Sequence, residues 1–117
     1  MNKSSRKIIQ AAFYSTGTGS EPVREWLKGL DREDRRLIGV DIRTVEFGWP
    51  IGMPACRPMG NGLFEVRSKI TGKRIARILF CIDEGTMVLL HGFVKKTGKT
   101  PDSDLATALK RKKEVAL

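Results

Sequence analysis

The stretch GLFEVRSKITGKRIARILFCIDEGTMVLLHGFVKK, residues 62–96, decides how this chain folds. It holds three runs rich in β-branched and aromatic residues, at 63–69, 74–82 and 86–94. Two short breaks part them, Ile70-Thr71-Gly72-Lys73 and Asp83-Glu84-Gly85, each with a glycine that accepts turn geometry. Breaks this short leave no room for a crossover, so neighbouring runs pair antiparallel. The pattern predicts a three-stranded antiparallel meander.

Strand side chains alternate between faces, which sorts the charges. On the first strand Leu63, Glu65, Arg67 and Lys69 share a face, with Phe64 and Val66 on the other. On the second, Ile75, Arg77, Leu79 and Cys81 fall together, so Arg77 is a lone charge among apolar neighbours. Burying an Arg there costs free energy unless it meets a carboxylate or an anion. One answer is structural: Glu65 on the neighbouring strand pairs with Arg67 or Arg77. The other is functional: two guanidiniums on adjacent strands clamp a phosphate. Both hold together if Glu65 positions one Arg and leaves the other free, and the pattern alone does not choose. His91, the one histidine, shares its parity with Met87, Leu89 and Phe93. A lone His on an apolar strand face reads first as a packed, hydrogen-bonded residue.

Outward from the meander, residues 8–14 read as a strand and 15–20 as a loop. Ser20 is an expected N-cap, with Pro22 in the first turn. Val23, Trp26, Leu27 and Leu30 then recur at helical spacing. Asp31 caps a second helix whose apolar stripe is Leu37, Ile38, Ile42 and Val45, stopped by Gly48 and Trp49-Pro50. With almost no linker between them, the two form a helical hairpin. Residues 49–62 read as irregular, since they hold Pro50, Pro54 and Pro58. A last helix starts at Pro101-Asp102-Ser103-Asp104 and carries Leu105, Ala108, Leu109 and Lys112 on successive turns. The expected architecture is a single α+β domain over 1–117, in the order β-α-α-β-β-β-α.

Composition narrows the function classes. At 117 residues, with 40% hydrophobic and 30% charged residues, the chain is an ordinary globular domain. No apolar run approaches the ~18 residues of a membrane span. The two cysteines form no CxxC unit, and with a single His they make neither a disulfide framework nor a zinc signature. A soluble, reduced, cytoplasmic protein is expected, with no metal or cofactor. No Walker loop or GxGxxG is present. The net charge of +9 is the positive hint: residues 57–100 hold nine basic and only three acidic residues. Arg67, Lys69, Lys73, Arg74, Arg77, Lys95, Lys96 and Lys99 all lie on or beside the meander, so a contiguous basic groove for a nucleic acid is expected.

Several of these segments taken together resemble a known family. They are Gly62-Leu63-Phe64-Glu65-Val66-Arg67, Arg77-Ile78-Leu79-Phe80, the run from Val88 through His91-Gly92-Phe93-Val94-Lys95-Lys96, Lys99-Thr100-Pro101, and residues 105–111. The chain resembles the phage-derived, HigB-like branch of the RelE/ParE toxin superfamily. The resemblance implies a RelE-like fold and the toxin of a type II toxin–antitoxin pair that cleaves mRNA in the ribosomal A site. It also implies a helix-turn-helix antitoxin as partner, in a toxin–antitoxin hetero-oligomer, with the ribosome and mRNA as targets. Arg67 and Arg77 match the family's functional arginines, and Lys95-Lys96 its basic pair. With His91 these make the candidate catalytic set; Lys69, Lys73, Arg74 and Lys99 are the expected RNA contacts. The superfamily also contains gyrase inhibitors, and an inactive RNA-binding phage protein is a further alternative.

Such an enzyme uses the nucleophile that RNA carries itself, the 2′-OH. Its attack on the adjacent phosphorus would leave a 2′,3′-cyclic phosphate and a 5′-OH. Arg67 and Arg77 would hold the phosphate oxygens, and Lys95 or Lys96 would donate to the leaving oxygen or take the proton.

Overall fold

A computed structural model of the chain describes residues 6–95 and 99–115. Its elements are β1 (Gln10–Phe13), α1 (Pro22–Lys28), α2 (Arg32–Gly48), β2 (Cys56–Gly60), β3 (Leu63–Ile70), β4 (Arg74–Asp83), β5 (Thr86–Lys95) and α3 (Asp102–Val115). Among the described residues they form one five-stranded sheet in the order β1-β5-β4-β3-β2, with three helices. β2 to β5 are antiparallel neighbours, and β1 runs parallel to β5.

The segment expected to be irregular contains a strand, so the meander has four strands rather than three and the order is β-α-α-β-β-β-β-α. The physical reason is position. β2 is an edge strand, where the missing N–H of Pro58 is tolerated, and its pairing shifts between Pro58 and Gly60. The chain then reverses through Gly60, Asn61 and Gly62, all at positive φ, into β3. The first strand is shorter than the 8–14 expected from sequence, and α1 starts at Pro22 with Glu21, not Ser20, in the cap position.

The sheet is covered on both faces. Val23, Ile38, Ile42 and Val45 of α1 and α2 pack on Val66, Ile78, Phe80 and Leu89. Ala108 of α3 packs with Tyr14, Leu63, Leu79 and Leu90 on the other side. α1 comes so close to β5 that a Cβ at Gly92 would lie 2.5 Å from the Trp26 ring. Leu30 falls past the end of α1 yet still packs on this core.

One irregularity re-aims the functional strand. Leu79 pairs with His91 but Phe80 pairs with Leu89, so Leu90 is an extra residue, a β-bulge. Met87 and Leu89 therefore lie under α1 and α2, while Leu90 and Phe93 lie under α3. His91 follows Phe93 to the α3 side, which corrects the parity read from simple alternation; their rings stack with centroids 5.7 Å apart.

Candidate functional site

The site is built on three rows of residues that cross β3, β4 and β5. Glu65, Leu79 and His91 form the first, Arg67, Arg77 and Phe93 the second, and Lys69, Ile75 and Lys95 the third. The start of α3 covers the first row and leaves the third open.

Arg77 is 1% exposed and Glu65 fully buried. Arg77 Nη1 lies 3.6 Å from Glu65 Oε1 and donates to Thr100 Oγ1 at 3.4 Å. The Thr100 hydroxyl in turn donates to Glu65 Oε2. Of the two arrangements open at the sequence level, Glu65 thus takes Arg77 as its partner, and Arg77 lies beneath the surface rather than on it. The triad fastens the segment just before α3 to the sheet. Thr100 was not singled out from the sequence, where Thr100-Pro101 reads only as a helix start.

Arg67, directly opposite Arg77, is half-buried. It makes no ion pair among the described residues, and its buried Nε has no hydrogen-bond partner among them. Beside it opens a groove of about 650 Å³ that Lys69 and Ile75 also line. Lys69 is exposed, and Lys95, across the same row and roughly 10 Å away by strand spacing, is half-buried. Lys95 Nζ donates to the Lys99 carbonyl at 3.2 Å, which holds exposed Lys99 at the same end of the sheet. The structure therefore puts Arg67 and Lys69 in one groove and places Lys95 and Lys99 at the same end of the sheet. Lys96 falls outside the described residues.

The other expected RNA contacts divide. Lys73 is exposed at positive φ in the β3–β4 turn. Arg74 is engaged: Nη2 lies 2.6 Å from Asp34 Oδ2 and Nε donates to the Thr71 carbonyl at 2.9 Å. Asp34 is 1% exposed and also accepts the Thr71 N–H at 3.0 Å and its hydroxyl at 2.8 Å. Those bonds first, then Arg74, hold its carboxyl below the usual aspartate value.

His91 serves α3. Its Nε2 lies 2.6 Å from Asp104 Oδ1, and Arg111 Nη1 is 3.5 Å from its Nδ1 while also donating to the Leu90 carbonyl. At the far end of the helix the Tyr14 hydroxyl donates to Glu114, and that carboxylate, with burial, pushes the phenol pKa up. Cys56 and Cys81 lie in the cores on opposite faces of the sheet. Burial drives the Cys56 thiol to about 11 and raises Cys81 too. Among the described residues no three His, Cys, Asp or Glu side chains are grouped to hold a metal ion, and no helix is long and apolar enough to cross a membrane.

The arrangement suits a polyanion: one guanidinium beside a groove, lysines in the next row, and the Phe93 ring in the guanidinium's own row. No curated protein matches the chain. A family model described as phage derived protein Gp49-like (DUF891) does, over residues 25–113, from α1 to the last turns of α3. That span holds the whole basic end of the meander, and on it the protein belongs to the Gp49-like family of phage-derived proteins, a RelE-like family associated with toxin–antitoxin systems.

Proposed function

We propose that this protein is the toxin of a type II toxin–antitoxin pair, HigB-like in kind, and that it cleaves mRNA on the ribosome. The observation that carries this is Arg67: a guanidinium beside an open groove, without an ion pair among the described residues, with Lys69 in the same groove and Lys95 and Lys99 at the same end of the sheet. A cation so placed meets a phosphodiester at low desolvation cost and in a fixed direction.

In this reading Arg67 binds the scissile phosphate and stabilises the charge that grows on its oxygens. The RNA 2′-oxygen forms a bond to phosphorus as the bond to the 5′-oxygen breaks. The 2′-OH proton leaves to a base and the 5′-oxygen receives one from an acid. Lys95, with its sequence neighbour Lys96, is the candidate for those exchanges, as the family resemblance implies. Arg77 works one layer down, through Glu65 and Thr100, to hold the start of α3 in place. His91 holds α3 through Asp104. Lys69, Lys73 and Lys99 contact ribosomal RNA phosphates.

The test is induced expression with and without the adjacent open reading frame, with mRNA 5′ ends mapped. Growth arrest with cuts at a fixed codon phase, relieved by the neighbour, is expected. DNA-damage signalling over intact mRNA would replace the reading with gyrase inhibition. No arrest, with RNA still bound, would replace it with an inactive binding protein.

A further inference from the structure

The β2 edge of the sheet is incomplete. β2 pairs with β3 only as far as Val66, and the last contact on that side is Arg67 N–H to the Ala55 carbonyl at 3.4 Å. The chain before β2 curls away through a turn at 53–55. Alternate residues of a strand point their backbone groups to the same side, so the N–H and C=O of Lys69 face the place β2 has left. No strand of the described residues fills it.

The groove described above lies along this gap, walled on its far side by α2. Its apolar lining includes Leu37, Val40 and Pro54. Val40 is 50% exposed, and Met53, next to Pro54, is 59% exposed; they are two of the three large apolar side chains exposed among the described residues. The charge is one-sided. The carboxylate in the lining, Asp41, already accepts the Ser68 hydroxyl, whereas Arg67 and Lys69 have no carboxylate partner among the described residues. An unpaired strand edge beside an apolar wall is the geometry that takes an added strand.

We infer that this groove is where the partner polypeptide docks: an extended segment adds to β3 at 67–70, sets apolar side chains against Val40 and Leu37, and presents carboxylates to Arg67 and Lys69. RNA would use Arg67 and Lys69 but leave the apolar, aliphatic far wall uncovered, whereas a polypeptide uses both. This rests on the toxin–antitoxin reading, which makes the partner the cognate antitoxin. Seated there, the segment would cover Arg67 and so block the phosphate site directly.

The two proteins are co-purified, and amide exchange and affinity are measured for wild type and Val40→Asp, a substitution at an exposed position whose fold is checked by circular dichroism. Slower exchange at 67–71 in the complex, and an affinity about tenfold weaker for Val40→Asp, are expected. A complex that leaves 67–71 unprotected and ignores Val40→Asp would overturn the groove and spare the toxin reading. Failure to form any complex would overturn both. An RNA oligonucleotide that gives the same protection, lost in Val40→Asp, would show a nucleic-acid site and overturn the proposal.

Discussion

Arg67 and Arg77 are direct cross-strand partners, yet Arg67 opens onto a groove while Arg77 is sealed against Glu65 and Thr100. Two residues that look equivalent in sequence therefore do different work. Arg77→Ala would leave Glu65 buried without its ion-pair partner, a loss of about 3–5 kcal/mol. Arg67→Ala, at the edge, should cost under about 1 kcal/mol. Urea unfolding of the two variants checks this, and equal losses would contradict the division.

Gly92→Ala should destabilise the protein by about 1–3 kcal/mol, because its Cβ would meet the Trp26 ring and push α1 off the sheet. In a Trp26→Ala background the same substitution should cost much less. A double-mutant cycle measures the difference; additive losses would mean that the close approach is not the cause.

Asp34 carries a pH dependence whose sign follows from its lowered pKa. A depressed carboxylate adds stability that is fully present above the unfolded value, about 3.9, and is lost as pH falls through the lower folded value. Asp34→Asn should therefore be less stable than wild type near neutrality, and the gap should close below about pH 4. Thermal unfolding against pH for both proteins tests this; a gap that widens on acidification would refute it.

Both thiols should resist alkylation in the folded protein at pH 7.5. Cys56 is buried with a pKa of about 11, and Cys81 is buried and shifted the same way. Two reactive thiols should appear in denaturant, with no disulfide between them, since they lie on opposite faces. Rapid labelling of native protein would contradict their burial.

Much of the fold is written locally. The strands expected at 63–69, 74–82 and 86–94 match β3, β4 and β5 to within one residue at each end, and the helix from Asp31 to Gly48 is α2. What was hidden depends on non-local facts. Pro58 argued against a strand, and only the edge position of β2 permits one. The parallel pairing of β1 with β5 joins segments far apart in the chain. The bulge at Leu90 gives no signal in an apolar run, so alternation groups His91 with Met87 and Leu89 as well as with Phe93, and only the last holds. At the site, the lone charge of Arg77 did demand a carboxylate, and Glu65 was within reach by alternation. That Thr100 would close the triad depended on where α3 docks.

The central claim is tested most directly by mRNA cleavage at saturating ribosome concentration with wild type, Arg67→Ala and Lys73→Ala. Arg67→Ala should lose about 100-fold or more in rate while staying folded. Lys73→Ala should keep the saturated rate and lower the salt slope of ribosome binding by about one phosphate contact. Cleavage by Arg67→Ala at the wild-type rate, or an equal loss in both variants, would contradict the account.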